Sequence, residues 1–394
     1  MAKLSVKDLD IKGKKVFTRV DFNVPLGQNR TITDDTRIRA ALPTITYILE
    51  NGGIPILASH LGRPDGKVDP NLSLAPVAKR LGELLGRAVT FASDCVGDEV
   101  RKIADGLKPG DILLLENTRF HPEEKKNDPQ FSKELASLAD VYVNDAFGTA
   151  HRAHASVVGV AEHFKEPACG FLMEKEITYL EEALKSPKRP LLAIIGGAKV
   201  STKVGVIHNL LQSVDTLIIG GGMCFTFFKA KGYGIGTSLC EDDYLDEAKA
   251  LVNDPKIYLP TDIVVVRTVQ HGQPTTTVNA DALPDDQTGV DIGEKTRNEI
   301  AKHIEQAKTI VWNGPMGIFE IDDFSKGTHS VAKAVATATS AGALSIVGGG
   351  DTIAALRKFN LLEKVSHAST GGGASLEYLE GKELPGIKIL KDKP

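Results

Sequence analysis

Residues 191–211 read LLAIIGGAKVSTKVGVIHNLL. Five apolar residues come first, then two glycines, then a lysine-bearing stretch that continues as a helix. An apolar run without polar alternation is how a parallel strand covered on both faces reads. The same order recurs along the chain. In the first half the strand candidates are 16–20, 54–58, 112–115 and 141–143. In the second half they are 191–195, 216–219, 263–266, 309–311, 344–347 and 365–368. Strands alternating with helical stretches imply βαβ units. The fold class expected is α/β, with two doubly wound parallel-sheet lobes.

The lobes are separated by FLMEKEITYLEEAL, 171–184, where Met173, Ile177, Leu180 and Leu184 fall at helical spacing. Ser-Pro-Lys-Arg-Pro, 186–190, then breaks the chain. This gives a first lobe at 1–170, a linker helix and hinge at 171–187, a second lobe at 188–377 and a tail at 378–394. The apolar Ile387, Ile389 and Leu390 of the tail are expected to pack.

Composition narrows the function. With 394 residues and about 150 per domain, two or three domains are expected. A net charge of −4 argues against a nucleic-acid binder. No apolar run approaches the roughly 18 residues of a membrane span. MAKLSVKDLD places charges where a signal peptide needs an apolar core. The four cysteines (Cys95, Cys169, Cys224, Cys240) form no CxxC pair, so reduced thiols of a cytoplasmic protein are expected and a zinc site is not.

Ligands of doubly wound sheets bind beyond the carboxyl ends of the strands. In the second half those ends are GGAK (196–199), GGGM (220–223), NGPMG (313–317), GGGDT (348–352) and GGGAS (371–375). One such cluster is explained by a tight turn. Five on one rim indicate a surface whose backbone N–H groups approach a flat ring and phosphates. Lys199 and Lys203 are placed on one face of the following helix. Solvation explains such a pair, but their position after the glycines favours phosphate contact. Asp351 begins another helix. Alone, a helix cap and a Mg2+ ligand are even readings; beside phosphate-binding glycines, Mg2+ gains weight. GxxxxGK[ST] is absent, and GYGIG at 232–236 has the wrong spacing for GxGxxG. A P-loop protein and a nicotinamide dehydrogenase are thereby set aside. WNGPMGIFE, 312–320, carries the only tryptophan, which is read as packing.

The first-half strand ends are RVDFN (19–23), SHLGR (59–63), ENTRF (116–120) and NDAFGTAHRAH (144–154), with DDTRIRA (34–40) after the first. Arg37, Arg63, Arg119 and Arg152, with His60, are expected to converge on a small, multiply charged anion. Pairing with Asp21, Asp34 or Asp145 would explain any one of them. Asp21 and Asn23 could accept hydrogen bonds from a hydroxyl of that anion; His151 and His154 are weaker candidates. A nucleotide rim in one lobe and an anion basket in the other imply phosphoryl transfer across a cleft.

RVDFNVP, SHLGRP, FGTAHRAH, GGAKVSTK, WNGPMGIFE, GGGDT and GGGAS occur in the order of the phosphoglycerate kinase family. The chain resembles it from about Lys14 to about Ser375. The resemblance implies reversible transfer between 1,3-bisphosphoglycerate and ADP, giving 3-phosphoglycerate and ATP, with Mg2+. It also implies a hinge-bending fold whose tail returns to the first lobe. A cytoplasmic monomer without nucleic-acid or membrane partners is expected. By motif, Asp21, Asn23, Arg37, His60, Arg63, Arg119 and Arg152 resemble the phosphoglycerate site. Lys199 and Lys203 resemble the phosphate-binding lysines, and Gly197, Gly221 and Gly222 would flank adenine. Asn313, Pro315 and Glu320 look like nucleotide contacts, with Glu320 on the ribose. Gly349, Gly350, Asp351 and Thr352 complete that side, with Asp351 as the metal residue. The glycines at 371–373 would face the migrating phosphoryl group. The catalytic roles expected are transition-state charge from Arg37 and Lys203, supported by the N–H groups of Gly372 and Gly373. Thr18, Thr118 and Cys224 depart mildly from the family pattern and remove no proposed ligand. Another acyl-phosphate kinase on the same scaffold and a non-catalytic nucleotide-binding regulator are the rivals.

Overall fold

The computed structural model describes residues 2–394. The chain forms two compact units: residues up to Thr178 together with Glu383–Pro394, and Tyr179–Lys382.

The first unit is built on β1 (Lys15–Arg19), β2 (Ile54–Ala58), β3 (Thr90–Phe91), β4 (Leu113–Leu114), β5 (Val141–Asn144) and β6 (Ala168–Cys169). They form one parallel sheet in the order β3-β4-β2-β1-β5-β6. The central strands have no solvent face: all five residues of β2 are buried, and in β1 only Lys15 is not. The Thr36–Glu50 helix buries Ile38, Ala41, Ile45 and Ile48, one stripe at helical spacing. Ile38 and Ile45 join Val20, Phe22, Leu57 and Leu114 in the core of one sheet face. The Glu383–Pro394 segment is tied into this unit: Gly386 N donates to Ala150 O (2.8 Å) and Leu4 N to Lys391 O (2.8 Å). Its Leu384 and Leu390 are buried, while Ile387 and Ile389 are half-buried.

The second unit contains β7 (Leu191–Ile195), β8 (Thr216–Ile219), β9 (Ile257–Tyr258), β10 (Asp262–Val266), β11 (Thr276–Asn279), β12 (Thr288–Ile292), β13 (Thr309–Asn313), β14 (Leu344–Gly348) and β15 (His367–Ala368). Six form a parallel sheet, β15-β14-β13-β7-β8-β9. The other three form an antiparallel sheet, β11-β10-β12. Residues 263–266, expected as another parallel strand, are the centre of this separate sheet. A short apolar run carries no information about the direction of its partners. The strand at 309 also runs on to Asn313, so Trp312 lies within it. Trp312 is fully buried, and its Nε1–H donates to Gly314 O (2.8 Å).

The Phe171–Lys185 helix carries the chain from one unit to the next. Its first turn is fixed within the first unit: Leu172 N and Met173 N donate to Asp145 Oδ1 (2.9 and 3.2 Å), and Phe171 N to Thr44 Oγ1 (2.9 Å). Asp145 is fully buried, and the preceding Gly170 is packed so closely that a Cβ there would lie 2.2 Å from Asp145 Oδ1. Burial pushes the Asp145 carboxyl up to about 7, against the opposing hydrogen bonds from Thr44, Met173 and Leu172.

The sign of this shift fixes a pH dependence. Between its ordinary value and about 7 the folded state holds a proton that the unfolded chain has released. Stability therefore falls as pH rises through that window and stays lower above it. Asp145→Asn should make the decline in unfolding free energy between about pH 4 and pH 7 shallower, as read by urea denaturation. Parallel curves for wild type and variant would mean that the folded carboxyl titrates at its ordinary value.

Candidate active site

In the first unit the sheet ends at Arg19, the last residue of β1. It is fully buried, a rare place for a guanidinium. Its Nε donates to Ser156 Oγ (2.8 Å), its Nη1 donates to Val20 O, and its Nη2 lies 3.1 Å from His60 Nδ1. Ser156 in turn donates through N and Oγ to the buried Glu124 carboxylate (2.9 and 2.6 Å). His60 is held well below the usual histidine range, first by burial and then by Arg19, Arg119, Arg37 and His154. His154 is lowered to about 3, first by burial and then by Arg119, Arg19, Arg152 and His151. Both rings are therefore neutral near pH 7, and several arginines act on the same spot.

Most of the other expected residues gather around this group. Arg37 donates to Asp21 Oδ2 (2.8 Å), the acid pairing that the sequence left open. Asn23 Oδ1 accepts from Gly62 N (2.9 Å), and Arg119 Nη1 donates to Gly62 O (2.9 Å). Burial lowers Arg119 to about 10, and its Nε has no partner among the described residues. Arg152 is exposed and acts on His154 and Arg119. Arg63 is exposed, and no contact among the described residues brings it to the group. Arg19, Ser156 and Glu124 were missed as site residues. The first was within reach, because Arg19 ends a central strand and opens the RVDFN motif already singled out.

In the second unit the turns after β7, β8 and β13 lock together through their backbones. Gly196 N donates to Asn313 O (2.9 Å) and Gly197 N to Pro315 O (3.1 Å). A Cβ on Gly196 would lie 2.2 Å from Pro315 O, and one on Gly221 would lie 2.6 Å from Gly197 N and O. Gly221 and Gly314 also have positive φ, +68° and +104°. By contrast, a Cβ at Gly197, Gly350 or Gly372 would meet nothing within 4 Å. A Cβ on Gly222 would lie 3.2 Å from Ala198 O. Gly349 backs onto Asn313 Oδ1, 3.1 Å from its virtual Cβ.

Lys203 is half-buried and donates to Asn313 Oδ1. Burial lowers it to about 8, opposed by Asp351 and Glu380. The expected lysine face is not formed, because the helix begins at Val204, with Lys203 as its N-cap residue and Lys199 in the turn before it. Lys199 is exposed, on the side of Glu241. Asp351 is not a cap either. Gly349 holds that position, and Asp351 is an exposed carboxylate in the first turn of the Gly350–Lys358 helix. Thr352 is buried and accepts from Gly314 N (2.7 Å), so its hydroxyl ties two of the glycine turns together. Asn313 is buried, with no partner for Nδ2 among the described residues. Gly372 caps the Gly373–Leu379 helix at φ +51°.

A cavity of about 280 Å³ opens beside these turns, lined by Gly197, Gly221, Gly222, Pro315, Glu320 and Asp351. Its apolar wall includes Phe225, Leu239, Ile263 and Val290, two of which lie on the antiparallel sheet. That wall was missed because 263–266 was assigned to the wrong sheet and 288–292 was not read as a strand.

Glycine turns carrying a lysine and a carboxylate in one unit, and an arginine group in the other, have the plan of an α/β phosphotransferase. The phosphoglycerate kinase family model matches residues 6–382. A phosphoglycerate kinase of Prosthecochloris aestuarii is 54% identical, covering 100% of both chains. The cytosolic phosphoglycerate kinase 3 of Arabidopsis thaliana is 54% identical over 98% of each. The solved phosphoglycerate kinase of Coxiella burnetii superposes with a TM-score of 0.90 at 46% identity, covering 98% of each chain. The chain belongs to the phosphoglycerate kinase family. It is a glycolytic kinase whose phosphoryl acceptor is a carboxyl group.

The two kinds of glycine should separate on mutation. Gly221→Ala meets both positive φ and a backbone clash and should cost about 2 kcal/mol or more in thermal unfolding. Gly350→Ala has open space and a helical position, and should be neutral or slightly stabilising. Equal losses at the two positions would remove the distinction between interlocked and open turns.

Proposed function

We propose that the chain transfers a phosphoryl group directly between 1,3-bisphosphoglycerate and ADP, with the acceptor held by the first unit and the nucleotide by the second. The observation that carries this reading is the arginine group around a neutral His60, in a different unit from the glycine turns. Arg19, Arg37, Arg119 and Arg152 supply positive charge without a general base. None is needed, since a carboxylate and a diphosphate are nucleophilic when ionised. Asp21 aims Arg37, and Asn23 offers an acceptor to a substrate hydroxyl. The base of the nucleotide fits the cavity between Gly197, Gly221, Gly222 and Pro315, with Glu320 at its edge for the ribose. Lys203, Lys199 and the N–H groups of Gly350, Gly372 and Gly373 face the phosphates. Arg37 and Lys203 carry the charge that develops on the transferring group.

Asp351 fits Mg2+ in the form kinases use, one carboxylate completed by nucleotide phosphates. It is exposed and its carboxylate is not spent as a helix cap. The ion would neutralise phosphate charge. A cytoplasmic monomer is the form expected. The cytosolic name of the Arabidopsis thaliana relative and the free state of all four cysteines support that location.

The decisive assay is ATP consumption with 3-phosphoglycerate, acetate or aspartate as acceptor. Only the first should support turnover; turnover on acetate or aspartate alone would favour another acyl-phosphate kinase. In the same assay Arg37→Ala should lower kcat by about 100-fold or more, and Asp351→Ala should raise the Mg2+ requirement. A variant at Arg37 that alters only KM would make that residue a binding group.

Transfer needs the reacting atoms at about 3–3.5 Å. Acceptor and nucleotide sites on separate units must therefore be brought to one reaction centre, and the ends of the linker helix are the proposed hinge. The radius of gyration in solution scattering should fall with both substrates bound and less with either alone, at the mass of a monomer. Identical curves with and without both ligands would remove the hinge.

A further inference from the structure

We propose that Asp94, Cys95 and His121 form a binding site for a borderline-soft divalent cation of the zinc type, within the first unit and apart from the Mg2+-nucleotide site. Among the described residues this is the one place where three ligand atoms of His, Cys, Asp or Glu lie within 4.8 Å of one another. The set is one carboxylate oxygen, one sulfur and one imidazole nitrogen. Such a mixture suits Zn2+ or Co2+ and does not suit Mg2+, which prefers oxygen alone.

The geometry needs only small adjustment. Asp94 Oδ1 is 2.7 Å from His121 Nε2 and accepts from Cys95 N at 2.6 Å. Ligands at roughly 2.0–2.3 Å from a tetrahedral ion stand somewhat over 3 Å apart. The oxygen and nitrogen would open by about half an ångström, and the sulfur would close in. Both ligand segments are anchored. Asp94 O accepts from Glu116 N (3.3 Å), and the His121 ring packs on Phe131 with centroids 5.1 Å apart. Cys95 is fully buried, whereas Asp94 and His121 reach solvent, so an ion can enter from their side and leave one position for water.

A bound M2+ needs Cys95 as a thiolate and the ligating His121 nitrogen unprotonated, so binding displaces protons and affinity must rise with pH. The Cys95 thiolate and the Asp94 carboxylate together balance the charge of the dication. The other acids acting here are Glu123 and Glu134 on His121 and Glu124 on Cys95, and all favour a cation. The sequence hid the site because no pair of cysteines marks it and His121 is far along the chain from Cys95.

The test uses the full chain, stripped with a chelator and titrated with Co2+. A thiolate-to-cobalt charge-transfer band should appear at stoichiometric metal, strengthen with rising pH and vanish when Zn2+ is added. Cys95→Ser should abolish it. Asp94→Asn, at a half-exposed position where the fold is not at stake, should weaken Co2+ binding by about tenfold or more. Cys240→Ser, which changes the cysteine that is not buried, should leave the band intact. No band in the wild type, a band that survives Cys95→Ser, or unchanged affinity in Asp94→Asn would each overturn the proposal.

Discussion

The rim of the second unit depends on turn backbones that touch each other. β13, β7 and β8 are neighbours in a parallel sheet, so the turns that follow them must leave the same edge side by side. Gly196, Gly221 and Gly314 let those turns approach until peptide groups meet, which any side chain would prevent. The contact has chemical results. It places Lys203 against Asn313 and uses Thr352 to clamp Gly314, while Gly197, Gly350 and Gly372 are left with open space. Some glycines are therefore needed for packing, and others keep a surface bare.

The first unit solves a different problem, the holding of several like charges in one place. Arg19 is buried, and a buried guanidinium is stable only if its hydrogen bonds and charge are answered. Ser156 and Val20 O take its donors, and Glu124 stands behind Ser156 with both oxygens bonded. Burial first, and then the same positive surroundings, keep His60 and His154 neutral. Arginine thus supplies the charge, while the histidines remain free of it.

The fold was largely legible because buried parallel strands leave long unalternating apolar runs, and β2, β7 and β8 were read with their observed bounds. Two-residue strands such as β3 and β6 leave no such run. The direction of β10 could not be read, since Val and Ile pack equally well in either kind of sheet. At the candidate site, the sequence motifs singled out Asp21, Asn23, Arg37, His60 and Arg119, which the structure gathers within the first unit. Residues that act through local backbone geometry were less visible. Lys203 looked like part of a helix face but precedes the helix, and the cap reading weighed for Asp351 falls to Gly349, two residues before it. Arg63 matched its neighbours in sequence logic, and in the structure its side chain is exposed. Glu124 and Ser156 carry no signal by themselves, because their role exists only once Arg19 is buried between them and His60.

Trp312 is the only indole in the chain, fully buried in a central strand, with its N–H committed to the glycine turn two residues on. Tryptophan fluorescence of this protein therefore comes from a single ring in Tyr179–Lys382. Its emission wavelength registers the polarity at the foot of the NGPMG turn, and quenching registers whether solvent reaches it. The first unit carries no tryptophan of its own. The chain carries an optical label for one of its halves, fixed to the strand from which that turn departs.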